Sequence, residues 1–140
     1  GTTAFSPAEL EVARRLMKAY KSPAGNTIDV EPDLILGPLA LEQQIAEVIG
    51  SEKAPYKTTN EINFNQDRYS YIIWQRLSSA TAWFLIDTSL MKMFLTWFDR
   101  VKPEFFQDSE FNTLIATYAG TMRYSFGASD WRWGYAEFPS

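Results

Sequence analysis

The final third of the chain constrains its fold most. "EFNTLIATYAGTMRYSF" is a long run of aromatic, β-branched and small residues, and "WRWGYAEF" follows it across the turn-forming "GASD". This pattern predicts one long strand, kinked or bulged near Gly120, with "WRWGYAEF" as its return partner in a C-terminal hairpin. From Trp131 to Tyr135 a two-residue period would set three rings, Trp131, Trp133 and Tyr135, on one face. Rings so arrayed can stack on a sugar, fill the protein's own core, or meet another copy of the chain.

The preceding sequence supplies helices and further strands. Ser6 stands as an N-cap, Pro7 in the first helical position and Glu9 where it can close a capping box. Leu10, Ala13, Leu16, Met17 and Tyr20 then recur at helical spacing, a stripe that packs on a sheet. "TIDVEPDLILGP" reads as two short extended pieces interrupted by Pro32. Leu41, Ile45, Val48 and Ile49 line a second helix that Gly50 should terminate. From Glu52 to Asn65 the sequence turns polar, predicting a long loop, the most mobile element, with a brief strand at Ile62 to Phe64. "RYSYIIWQRL" and "TAWFLID" read as two strands of a hairpin across "SSA". "LMKMFLTWFDR" fits a helix and a strand equally by spacing. The fold class expected is α+β, with helices flanking a central mixed or antiparallel sheet and a long C-terminal β-hairpin.

Composition narrows the function. At 140 residues the chain can bury about two thirds of its unfolded surface in one domain. Its 46% hydrophobic and 16% aromatic content argues for a ring-filled core or a broad apolar surface. The sequence contains neither cysteine nor histidine, which removes disulfides, thiolate zinc sites, cysteine nucleophiles, the commonest general base and the preferred transition-metal ligand. No catalytic residue, metal site or cofactor is expected, and the chain is read as a non-enzyme. Net charge is −4 and the basic residues are scattered except for Arg14 and Arg15, so no footprint for specific nucleic-acid binding is visible. No apolar run is long enough to span a membrane. Beginning at "GTTAFSPAEL" without methionine, the sequence reads as a processed or excised piece of something longer.

Three local patterns suggest chemistry. Ser89 and Lys92 match S-x-x-K, in which a lysine activates a serine one turn earlier, but no accompanying motif or oxyanion loop follows. Asp29, Glu31 and Asp33 would gather three carboxylates on a strand, as calcium requires; with Pro32 among them, a solvated edge that discourages strand pairing is the better reading. A platform of Trp131, Trp133 and Tyr135 would suit a stand-alone carbohydrate-binding module, the alternative function.

Taken in order, the segments resemble the C-terminal portion of the tailed-phage major capsid protein of the Hong Kong 97-type fold, in particular its Mu-like head-subunit branch. Pro32, Leu34 and Pro38 fall on that family's helix–strand–helix passage, "INFNQDRYSYIIWQRLSSATAWFLID" is similar to its asparagine-containing loop and following strands, and "EFNTLIATYAGTMRYSFGASDWRWGYA" to its long terminal hairpin. The resemblance resolves "DTSLMKMFLTWFDRVKPEFF" as an extended strand and turn. It implies an axial-domain-like unit over residues 1–108 and a terminal hairpin of the peripheral domain over 109–140, with the N-terminal arm, extended loop and spine helix absent from this sequence. It further implies a virion protein made in the bacterial host cytoplasm. Its partners would be copies of itself in pentamers and hexamers around DNA, with scaffold and portal proteins besides. On this reading the terminal rings pack on the spine helix of a complete subunit or on neighbouring subunits. Arg123, Asp130, Trp131, Arg132, Trp133 and Tyr135 become subunit-interface candidates.

Overall fold

The computed structural model describes residues 3–54, 57, 61–110 and 115–139. A packed body of helices and a four-stranded sheet carries a long two-stranded ribbon.

Helix α1 (Pro7–Lys18) starts as its sequence demands. Ser6 Oγ accepts the Glu9 backbone N–H at 3.2 Å, and Pro7 costs nothing where no intrahelical donor is needed. Leu10, Ala13 and Met17 are buried, whereas Leu16 lies on the solvent side of the expected stripe. On the outer face Glu11 accepts Arg14 Nη2 at 2.7 Å and Arg15 Nε at 3.0 Å. The Arg14 hydrogen bond chiefly, with Arg15 assisting, holds the Glu11 carboxyl down from 4.5 to about 2. A depressed carboxylate stabilises the fold above its unfolded pKa, and that contribution is lost as pH falls from about 4.5 through 2. Glu11→Gln should therefore remove about 1 kcal/mol at neutral pH and flatten that acid limb, which urea titrations across the pH series would measure.

Strand β1 (Leu34–Gly37) leads through a short 3-10 turn (Leu39–Leu41) into α2 (Glu42–Gly50). Gly50 closes α2 from inside the helix, with Ser51 as the extended cap. Two further short strands, β2 (Ser70–Ile73) and β3 (Trp83–Ile86), flank β1, parallel and antiparallel respectively. The expected β2–β3 hairpin is thus corrected. The chain from Trp74 onward crosses over, carrying β3 past β2 to the other edge of β1. The sheet order is β2-β1-β3-β6, with β6 (Gly134–Glu137) antiparallel to β3. Ile35, Trp83 and Leu85 point to the face covered by α1 and α2, forming one core with Leu10, Met17, Ile45 and Val48.

Between β3 and β6 the chain leaves the body. α3 (Thr88–Phe94) runs directly into β4 (Leu95–Glu110), which pairs antiparallel with β5 (Ile115–Ala128). The segment expected as an extended strand and turn is instead a helix followed by a strand, since Asp87 accepts the Ser89 and Leu90 N–H groups at 3.0 Å and caps a helix start. The hairpin exists, but β5 returns from β4, and the "WRWGYAEF" segment joins the body as β6 instead. Register shifts between Asp99 and Glu104 place Pro103, which has no N–H to give, in a bulge. The sharper irregularity thus lies opposite Met122 and not at Gly120. Gly120 sits under Phe105, whose ring would lie 3.3 Å from any added Cβ.

In the expected polar loop, Ile62 makes only an isolated bridge to Lys53, and Asn63 donates its amide to the Val48 and Ser51 carbonyls at 2.7 and 2.8 Å. The expectation of mobility falls partly on residues 55–56 and 58–60, outside the described residues.

Candidate functional site

The acidic and serine–lysine patterns do not converge into chemistry. Asp33 accepts the Thr88 backbone N–H at 2.8 Å and its hydroxyl as well, and the buried Asp87 takes the Glu31 N–H at 2.9 Å. Two carboxylates thus latch the 31–33 segment to the start of α3, correcting the expectation of a solvated edge at Asp33. Glu31 turns outward to Lys18 and Arg68, and the Lys18 hydrogen bond leads in holding its carboxyl below the usual range. Ser89 and Lys92 both face solvent on α3. Among the described residues no group of three or more His, Cys, Asp or Glu side chains could hold a metal ion. No described helix is long and apolar enough to cross a membrane.

The three C-terminal rings separate. Asp130 Oδ1 accepts the Arg132 N–H at 3.0 Å, and Gly134 N–H reaches the Trp131 carbonyl at 3.2 Å, so residues 130–133 form a turn that leads into β6. Trp131 is 62% exposed, edge-on to Tyr20 at 5.1 Å with the Arg132 guanidinium over it at 5.4 Å. Trp133 lines a groove on the sheet's second face. Tyr135 lies against Trp83 on the core side and donates its hydroxyl to Glu137. Burial, then that bond, pushes its phenol up to about 12. A flat platform for a sugar therefore does not form. Asp130 and Arg132 pair with each other at 2.6 Å, and the Arg132 backbone N–H and guanidinium hold the Asp130 carboxyl below its usual range. Arg123 stands exposed on the ribbon, opposite Val101.

The larger aromatic surface is the ribbon itself. By its register Trp97, Phe105, Tyr118, Met122, Tyr124 and Phe126 share one face with Asp99 and Gln107, and Thr96, Glu104, Asp108, Thr121, Arg123 and Ser125 lie on the other beside Phe98 and Phe106. Trp97 stacks on Tyr124 at 4.4 Å and beside Phe126 at 6.4 Å. Every one of these rings is exposed, Phe105 at 87% and Tyr118 at 73%. A two-stranded ribbon of this kind is marginal in water unless its apolar face is covered. The signal was present in the sequence: Tyr118, Gly120, Met122, Tyr124 and Phe126 alternate with Ala119, Thr121, Arg123 and Ser125.

The geometry is that of a chain built to present oily faces, with Glu11, Glu31, Asp33 and Asp87 engaged in caps, latches and surface pairs. A family model described as phage capsid protein matches residues 1–136. No curated protein matches the chain. A match over nearly the whole sequence means that the chain belongs to the phage capsid protein family, as a structural component of the virion.

Proposed function

We propose that this protein is a subunit of an icosahedral phage head of the Hong Kong 97 type, on its Mu-like branch, which assembles with copies of itself into pentamers and hexamers around DNA. The single observation that carries this reading is the ribbon β4–β5, whose continuous aromatic face has no cover within the described chain. A family of shell proteins supplies the natural cover, namely neighbouring copies or the remainder of a complete subunit. In this reading the packed body is the axial unit and the ribbon belongs to the peripheral domain. Scaffold and portal proteins are the further partners, met in the host cytoplasm where the chain is made. Arg123 and Trp131, both exposed, are the foremost of the six interface candidates. Tyr135 and the Asp130–Arg132 pair are already partly engaged within the chain and would contribute less.

Sedimentation velocity over a concentration series, with electron microscopy of the products, tests this. The expected result is concentration-dependent self-association into ring-shaped species, with Phe105→Ser weakening it about 30-fold, the usual cost of removing an aromatic anchor. A monomer that binds a polysaccharide saturably would sink the reading.

A further inference from the structure

The sheet's second face, opposite α1 and α2, bears an open groove of about 430 Å³. Leu36, Phe84 and Ala136 form its floor, brought together by the β1–β3–β6 register, and Trp74, Leu77 and Trp133 wall it. We propose that this groove is the seat for the distal end of the β4–β5 ribbon of a second copy, an inference that rests on the self-assembly reading above and names the surface it uses.

The chain's own ribbon cannot occupy the groove. Ala128, which lines the groove, pairs with Leu95 at the ribbon's base, so the ribbon departs from the groove's rim, and doubling back would break its ladder. Its distal rings, Phe105 and Tyr118, are the most exposed aromatic side chains on the ribbon's apolar face, roughly 30 Å from the base at the rise of a β-strand. Charge selects the same pairing. Residues 104–119 contain Glu104, Asp108 and Glu110 and neither lysine nor arginine, whereas Arg76 is the sole charged residue from 69 to 86. Arg76 sits in the turn closed by Leu77 N–H to the Trp74 carbonyl, both ends of which line the groove. It is exposed and makes no ion pair among the described residues. Glu104 and Asp108 lie on the face behind the docking rings, still within about one Debye length of the rim. A projection on one part of the chain and a matching seat on another make a head-to-tail contact, the kind that closes into rings.

Because the chain has no cysteine, the contact can be tagged cleanly. Mixing an Arg76→Cys chain with a Gln107→Cys chain under mild oxidation should give the mixed disulfide dimer at least about tenfold faster than either chain alone gives its own dimer. Arg76→Glu, or Glu104→Lys with Asp108→Lys, should each weaken self-association by roughly 3- to 10-fold, and the combination should recover most of the loss. Circular dichroism would verify that these exposed-site variants keep the fold. Self-association that persists with no preference for the mixed disulfide, and with charge effects that merely add, overturns the seat while leaving assembly standing. A wild-type chain that stays monomeric at about 100 µM, far above the working range of a specific interface, overturns both.

Discussion

Trp83→Ala should cost about 3–5 kcal/mol of unfolding free energy, the range for truncating a fully enclosed large aromatic. Trp83 has no exposed surface, meets Phe5 edge-on at 5.3 Å and Tyr135 at 6.4 Å, and sends its indole N–H toward the Thr3 carbonyl at 3.4 Å. It lies at the start of β3, where α1, the N-terminal segment and β6 all converge. Removing it opens a cavity that no single neighbour can fill, since the surrounding side chains come from separate elements with fixed backbones. Trp83→Phe keeps most of the apolar volume and should lose less than half as much. Guanidinium unfolding followed by circular dichroism measures both; equal losses for the two variants would mean that the indole hydrogen bond, and not packing, is what matters.

Asp87→Ala should cost about 3 kcal/mol, because it strands three backbone donors at a buried position. Asp87 is only 4% exposed, and its carboxylate accepts Ser89 N–H, Leu90 N–H and Glu31 N–H. Asp87→Asn can still receive the first two through its carbonyl, but it then aims an NH₂ at the Glu31 N–H, so it should recover part of the loss only. Since α3 passes straight into β4, loosening this cap also frees the base of the ribbon, and assembly should weaken along with stability. Amide exchange at residues 31, 89 and 90 gives the decisive measurement: faster exchange there in Asp87→Ala, with β1 protected as before, is the expected pattern. Unchanged exchange at all three would show that the cap is dispensable.

Much of this architecture can be seen in the residues themselves. Ser6 and Pro7 open α1 by side-chain and ring chemistry that acts over three residues, so no distant contact is needed to place that start. The alternation from Tyr118 to Phe126 likewise sorts one face of β5 from the other. Asp87 followed by Thr88 and Ser89 is a helix-start signal too, but the spacing that follows fits helix and strand equally, and the family resemblance points to a strand until the cap is seen closed. At the C-terminus Asp130 and Gly134 are turn formers whose local hydrogen bonds defeat the strand period that Trp131, Trp133 and Tyr135 suggest.

The sequence alone determined the two helices of the body, an α+β class, the oily strands and the absence of thiol and imidazole chemistry. These follow from side-chain types and short spacings. Only the tertiary structure decided that β1 takes β2 on one edge and β3 on the other, that β5 turns back on β4 while β6 returns to the sheet, and that the strongest aromatic face lies on the ribbon. The physical reason is that a local period tells which side of a strand a residue faces but not which edge meets which. That choice is made by competition among all the strands for buried partners, and it belongs to the whole chain at once.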